Sequence, residues 1–367
     1  MDTTDPYITF DENGVCKHCH RYDQLVRDNV LTGEKGRQEL QEIFARIKRD
    51  GAGKQYDCVI GVSGGVDSTF AAYKVKQLGL RPLAVHLDNG WDSERAVDNI
   101  HKALNTLGID LHTHVIDWEE FNDLQLAFLK ASTPDSEIPS DHAIVSLMYK
   151  TPDRLGIKHV ITGYNVRTEG TGVTAWSQGH YDWKYIKSVH RQFGTVPLQT
   201  FPHMCRAEWG SYRRRGIWPG VHILDYLDYN KSEALRILEN ELGYQYYAQK
   251  HFESIYTRFF QGYILPRKFG FDKRKVHLSS LICAREISRE EALERLREPP
   301  YPVEMQETDK EYVIKKLGIT EEEFEGIMAL PKKTIYDYPS YTRDDRRLVN
   351  RLLRKASRMY SQFRKKP

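Results

Sequence analysis

The stretch "YDCVIGVSGGVDSTFAAYKV", Tyr56 to Val75, sets Ser63-Gly64-Gly65-Val66-Asp67-Ser68 between an apolar run and an amphipathic one. "CVIGV" has the length of a buried strand, and "STFAAYKVKQLGL" has the spacing of a helix that ends at Gly79. A strand that ends in Ser-Gly-Gly and turns at once into a helix aims several backbone N–H groups, and the positive end of the helix dipole, at one point. An anion belongs there. Gly64 and Gly65 let the backbone approach it closely, and Ser63 and Ser68 add hydroxyl donors. The loop lacks the lysine of a Walker loop. Gly61, Ser63, Gly64, Gly65, Val66, Asp67 and Ser68 are the expected nucleotide contacts. Asp67, also a catalytic candidate, is expected to fix the loop, to reach a metal through water, or to cap the helix start.

Outward from this loop the pattern alternates. A helix over Glu39–Arg49 precedes it. After it come strands in "RPLAVHLDNG", "LHTHVIDW" and "IKHVITGYN", with helices in "AVDNIHKALNTLG" and "DHAIVSLMYKTPDRLG" between them. Strands and helices of these lengths imply right-handed crossovers and an α/β fold with an open, parallel, doubly wound sheet of Rossmann-like type. From about Val189 the sequence becomes aromatic-rich and helical, with no further sheet strand expected. The expected division is an N-terminal cysteine-containing segment over 1–54, an ATP-binding domain over 55–188, and a mostly helical substrate and partner domain over 189–367. Ser288 to Glu291 and Thr320 to Glu323 each have the pattern of a capping box.

Composition narrows the class. The 367 residues are 40% hydrophobic and 29% charged, as in a folded globular protein rather than a disordered one. A net charge of +3 gives no dominant nucleic-acid footprint, and no apolar run has the length of a membrane span. The start, "MDTTDP", has neither the basic nor the apolar part of an export signal, and five cysteines suit a reducing compartment, so a cytoplasmic location is expected.

Asp88, in "HLDNGW", falls at the carboxyl end of the second strand, where open α/β sheets bind ligands, and is expected to face the ribose or a metal. "ITGYNVRTEG" places Gly163, Asn165, Thr168 and Glu169 about the same crevice. Gly163 and Asn165 are expected on the nucleotide and Glu169 in catalysis.

The Ser-Gly-Gly-Val-Asp-Ser string resembles the pyrophosphate-loop signature of the adenine-nucleotide α-hydrolase, or PP-loop ATPase, superfamily. That resemblance implies ATP cleavage between the α and β phosphates, with a carbonyl oxygen adenylated and AMP then displaced by a nitrogen or sulfur nucleophile. "MDTTDPYITFDENGVCKHC", "IPSDHAI", "LDYLDYNKSEALRILENELGYQYY" and "KHFESIYTRFFQGYILPRKFGFDKRKVHLSSLI" extend the likeness to the N-acetyl sugar amidotransferase family, the lipopolysaccharide and flagellin-glycan acetamidino synthetases. The family implies conversion of an N-acetyl group on a nucleotide-linked sugar, such as a UDP-2,3-diacetamido uronic acid, into an acetamidino group, with ATP and Mg2+ and with ammonia. The ammonia would come from a separate glutaminase and a cyclase-like subunit, because no cysteine of this chain lies in a glycine-flanked nucleophile turn. By the same resemblance the segment from Lys250 to His277 closes over the crevice. Lys268 and Lys273 are then catalytic candidates, Asp141, His251, Arg258 and Arg274 contact substrate, and Arg258, Lys268, Lys273 and Arg274 neutralise phosphates of ATP or of the nucleotide-sugar or form a solvated face. Phe259, Phe260 and Tyr263 pack on a ring of the ligand or in the core. His251 and Glu253 are candidates for acid/base work, for magnesium, or for a structural role.

Cys16-Lys17-His18-Cys19-His20 supplies half of a tetrahedral zinc site through Cys16 and Cys19, with His20 as a third candidate. The remaining cysteines form no second pair in the sequence. The family carries a Cys-x-x-Cys pair just upstream of the position matching Met1, so either an internal start or loss of the metal is expected. The basic end "RDDRRLVNRLLRKASRMYSQFRKKP" has Leu348, Leu352 and Leu353 at helical spacing and is expected to dock a partner or to form a solvated surface helix. Two other functions fit the loop: a tRNA-thiolating PP-loop enzyme, which needs a catalytic cysteine at the crevice and a basic face, and a nucleotide-binding regulator without catalysis.

Overall fold

A computed structural model describes residues 1–247 and 251–349. Its strands are β1 (Cys58–Gly61), β2 (Pro82–Asp88), β3 (Asp110–Val115), β4 (His159–Thr162) and β5 (Trp218–His222). They form one sheet in the order β3-β2-β1-β4-β5, every pair parallel. The order reverses direction at β1, so β1 and β4 are neighbours whose following segments leave to opposite faces. The crevice between their carboxyl ends is where such sheets bind ligands.

The period of two along the strands divides the core. Cys58 and Ile60 of β1 and Ala84 of β2 pack with Leu40, Ile43, Phe44 and Ile47 of the helix Gly33–Asp50 and with Phe70, Ala71 and Val75 of the helix Val66–Gln77. Val59, Leu83, Val85 and Val160 face the other way, against Met148 of the helix Ile138–Arg154. A further apolar core gathers the helices Trp118–Ala131 and Trp183–Phe193 together with the C-terminal helices. This is the α/β, doubly wound sheet with a helical C-terminal part that the sequence predicts.

The sheet runs further than expected. β5 lies beyond residue 188, and that boundary falls inside the helix Trp183–Phe193. The reason β5 escapes notice is its sequence, "WPGVH". As the edge strand it tolerates a proline, which supplies no N–H, and Gly220, at φ 133°, absorbs the bulge opposite Val160 and Ile161.

Of the two capping boxes, Thr320 and Glu323 make both reciprocal bonds, whereas at Ser288 only the hydroxyl accepts from Glu291 N–H, at 3.0 Å. The N-terminal lead is tied to the helix Arg274–Cys283: the Met1 ammonium donates to Ser279 Oγ at 2.8 Å and Lys275 Nζ meets Asp2 at 2.5 Å. Among the described residues no helix is long and apolar enough to cross a membrane. Residues 341–349, where the basic end begins, are helical, and Leu352 and Leu353 lie outside the described residues.

Candidate nucleotide site

The loop after β1 lies at the floor of a cavity of about 480 Å³ at the β1/β4 switch point. Gly61, Ser63, Gly65, Val66, Asp67 and Ser68 line it. The two serine hydroxyls sit 3.2 Å apart, Ser68 Oγ and Thr69 Oγ1 donate to Gly65 O at 3.2 and 2.8 Å, and the Ser63 and Gly65 N–H groups donate to Ser68 Oγ at 3.3 Å and Ser63 Oγ at 3.4 Å. Gly64 is behind the loop rather than in the cavity wall. Its φ of 78° is open to glycine, and its carbonyl accepts from Tyr244 Oη at 2.9 Å and Tyr247 Oη at 3.1 Å. Gly163, after β4, is in the wall, and a Cβ there would come within 2.6 Å of Ser68 N and Cα. Only glycine admits this approach.

Asp67 is fixed rather than capping. Its carboxylate accepts from Tyr229 Oη and, at 3.5 Å, from Thr168 Oγ1, and the helix has no side-chain cap. Asn165 is buried below the cavity, where its side chain caps the turn Val166–Glu169 by accepting from Thr168 N at 2.9 Å. Asp88 does not reach the cavity either, because its carboxylate closes a turn onto Gly90 N at 2.9 Å. Its neighbours take that place: Asn89 donates to Ser140 Oγ at 3.2 Å, and His86 bonds Asp92 at 3.0 Å. The other ring nitrogen of His86 faces Val62 O at 3.0 Å, so both nitrogens meet acceptors. Burial opposes the charge, but Asp92 outweighs it and raises the His86 pKa.

Glu169, Asp141, His251, Glu253 and Lys273 line the cavity, as do Lys231, Glu137 and Tyr246, which the sequence does not single out. His251 and Glu253 are 3.8 Å apart. Asp141 stands 3.3 Å from His180, and burial in the crevice raises its pKa.

The remaining cations are elsewhere. Lys268 is buried away from the cavity and donates to Ile327 O, and burial lowers its pKa to about 8. Arg258 makes a two-pronged pair with buried Asp309, both bonds 2.7 Å, joining the helix Ile255–Phe259 to Val303–Leu317. Arg274 pairs with Asp272 at 2.7 Å and donates to the carbonyls of Arg295, Glu298 and Pro299. These guanidiniums are saturated by the protein, so they clamp the fold instead of holding phosphate. Phe259, Phe260 and Tyr263 are core residues.

Cys16 and Cys19 sulfurs are 3.4 Å apart, and Cys283, isolated in the sequence, is hydrogen-bonded to Cys19. Burial raises the pKa of Cys19 and pushes that of Cys283 up to about 12. His20 turns to Asp11 at 2.8 Å. Among the described residues no group of three or more His, Cys, Asp or Glu is arranged to hold a metal ion.

The parallel sheet carries its Ser-Gly-Gly-x-Asp-Ser loop at the switch point, as the resemblance to the PP-loop class implies. Residues 253–353 match the family described as LPS biosynthesis protein WbpG-like, C-terminal domain. An uncharacterized protein of Methanocaldococcus jannaschii, MJ1599, is 26% identical over 148 residues, 40% of this chain and 51% of that protein. The tRNA-specific 2-thiouridylase MnmA 2 of Fusobacterium nucleatum is 26% identical over 140 residues, 36% of this chain and 38% of that protein. The chain thus spans about half or less of the curated relatives it matches. Among solved structures, the NH3-dependent NAD synthetase of Campylobacter jejuni is 16% identical, covering 81% of this chain and 98% of that one, at a TM-score of 0.31.

Proposed function

We propose that this protein is an ATP-dependent amidotransferase that adenylates the N-acetyl carbonyl of a nucleotide-linked sugar and replaces its oxygen with ammonia, giving an acetamidino group. The observation that carries this is a shared cavity: the pyrophosphate-type loop forms its floor, and Glu253, Tyr256, Thr257, Gln261 and Lys273 of the WbpG-like segment form its roof. A nucleotide grip and the segment that distinguishes this family therefore act on one volume. The family's link to LPS biosynthesis is consistent with a sugar of a bacterial surface polysaccharide such as O-antigen.

The residue types suit the chemistry. An amide oxygen does not leave at neutral pH, and adenylation converts it into the oxygen of AMP. The amide oxygen attacks the α-phosphorus, the bond to the β-phosphate breaks, and the amide N–H proton departs with pyrophosphate. Stabilising that leaving group is electrostatic work, for which the loop N–H groups, Ser63, Ser68 and Lys231 are positioned. A magnesium ion would supply further charge neutralisation, and Asp67, Glu169 and Glu253 are the carboxylates of the cavity that could hold it, directly or through water. Lys273, facing the cavity from the roof, is the cation for the sugar nucleotide or its uronate. Ammonia is supplied by separate glutaminase and cyclase-like subunits, and the site of action is the cytoplasm.

A second reading, tRNA thiolation, is favoured by the thiouridylase relatives. It is weakened by the cavity wall, which contains no cysteine among the described residues. Pyrophosphate release separates the two. With ATP and ammonium, a UDP-linked diacetamido sugar is expected to raise release at least about tenfold over the sugar-free rate. Release that depends on tRNA and not on the sugar would replace this proposal with the second.

A further inference from the structure

At the mouth of the helix Ile138–Arg154, Glu137 turns its carboxylate into the cavity, on the wall opposite the pyrophosphate-type loop. The WbpG-like segment holds it there: Thr257 Oγ1 donates to Oε1 at 2.5 Å and Gln261 Nε2 to Oε2 at 3.1 Å. Each oxygen keeps a lone pair free of these bonds, because a carboxylate accepts more than one bond per oxygen. The charged groups about it are Asp135 from the preceding turn, Asp141 one helical turn on, Lys273 from the roof, and His180, which bridges the two aspartates at 3.6 and 3.3 Å. ATP and a sugar nucleotide are anions and suit the loop end of the cavity. A wall bearing carboxylates suits a cation that arrives with a proton to give up, and the proposed reaction has one such reactant.

We infer that Glu137 is a catalytic residue that takes the proton from an incoming ammonium ion, an assignment that rests on the amidotransferase reading above. In this step one ammonium N–H bond breaks and its proton goes to a Glu137 oxygen. The freed lone pair forms the C–N bond to the adenylated carbon in its imidate form. The C–O bond to AMP breaks with its electron pair on the AMP oxygen, and one remaining N–H proton passes to the imidate nitrogen to leave an amidinium. Glu137 returns its proton to water when AMP departs. Burial, reinforced by Asp135 and Asp141 and opposed by Lys273, pushes the Glu137 pKa up to about 7, matched to a base that works near neutrality.

The test compares two nucleophiles on the full chain with ATP and a UDP-linked diacetamido sugar: ammonium chloride, and hydroxylamine, which is uncharged at neutral pH and needs no deprotonation. In Glu137→Gln the ratio of amidine to amidoxime formed is expected to fall roughly tenfold to a hundredfold near pH 7, and to recover as rising pH supplies free ammonia. If both products fall together while the KM for the sugar rises, Glu137 holds the sugar and the assignment is overturned. A wild-type measurement does not depend on the variant folding. Plotted against pH, kcat/KM for total ammonium should rise through the Glu137 pKa of about 7 and then level off. A continued rise of about tenfold per pH unit above about pH 8 would show uptake of free ammonia and overturn the assignment. Absence of sugar-dependent AMP formation with either nucleophile in the wild type would instead sink the amidotransferase reading itself.

Discussion

Gly163 shows how much of this site depends on single atoms. The backbone after β4 presses against Ser68 so closely that a methyl group would lie 2.6 Å from Ser68 N and Cα, both backbone atoms with no room to yield. Gly163→Ala is therefore expected to leave the sheet intact but displace the loop, with a roughly tenfold to hundredfold loss of ATP-dependent pyrophosphate release and an unchanged far-UV spectrum. Full activity in that variant would mean that the loop is not the phosphate grip. The loop itself is legible in the sequence because its parts are contiguous: Ser63 to Ser68 carry strand end, turn and helix start in six residues. The opposite wall is not. Lys268, Arg258 and Arg274 have the charge expected of phosphate ligands, but, apart from Asp272 beside Arg274, what consumes them is distant in sequence: Ile327 O, Asp309, and the carbonyls near 295–299. Glu137 and Lys231 enter the cavity with no local pattern to announce them, since only tertiary packing brings them there.

The helix Ile138–Arg154 is the element on which the cavity turns. It covers β1 and β4 with Met148, delivers Glu137, Ser140 and Asp141, and is pinned from behind by His142. His142 is fully buried. Its Nδ1–H donates to His180 O at 2.7 Å, and its Nε2 accepts from Met204 N–H at 3.1 Å, so the ring is neutral and a second proton would meet a donor. Burial accordingly lowers its pKa from 6.5 to about 4. In the unfolded chain the ring binds its proton more readily, so this contribution to stability is present above the unfolded pKa and is lost as pH falls towards the folded one. Denaturant titrations should lose about 2 kcal/mol more between about pH 7 and about pH 5 in the wild type than in His142→Gln. Equal slopes in the two proteins would contradict the neutral, doubly bonded ring. Helices and strands of ordinary period, from Glu39–Arg49 to "IKHVITGYN", are readable because their burial follows a simple repeat. β5 is not, because a proline and a bulged glycine take two of its five residues.

In the whole molecule, two packed units meet over one crevice. The sheet places the loop at its switch point, as the motif predicts, and residues from 253 onward complete the cavity from the other side. The boundary expected at 188 fails for this reason: the chain returns to the sheet at 218–222 before building the roof, so nucleotide floor and substrate roof are not consecutive domains. Backbone bonds from Ser93 N–H to Glu253 O at 2.8 Å and from Ile255 N–H to Trp91 O at 2.9 Å tie the roof to the segment that follows β2, and the Tyr244 and Tyr247 hydroxyls on Gly64 O brace the loop from behind. The central claim is that the bond between the acetamido carbon and its oxygen breaks with the oxygen on the α-phosphorus. A UDP-linked diacetamido sugar labelled with heavy oxygen in its acetamido carbonyls, incubated with ATP, magnesium and ammonium and read by mass spectrometry, follows that oxygen directly. The account predicts one heavy oxygen in AMP and an amidine product that has lost one of its two labels, whereas both labels retained in the sugar, with unlabelled AMP or with ADP as the product, would contradict it.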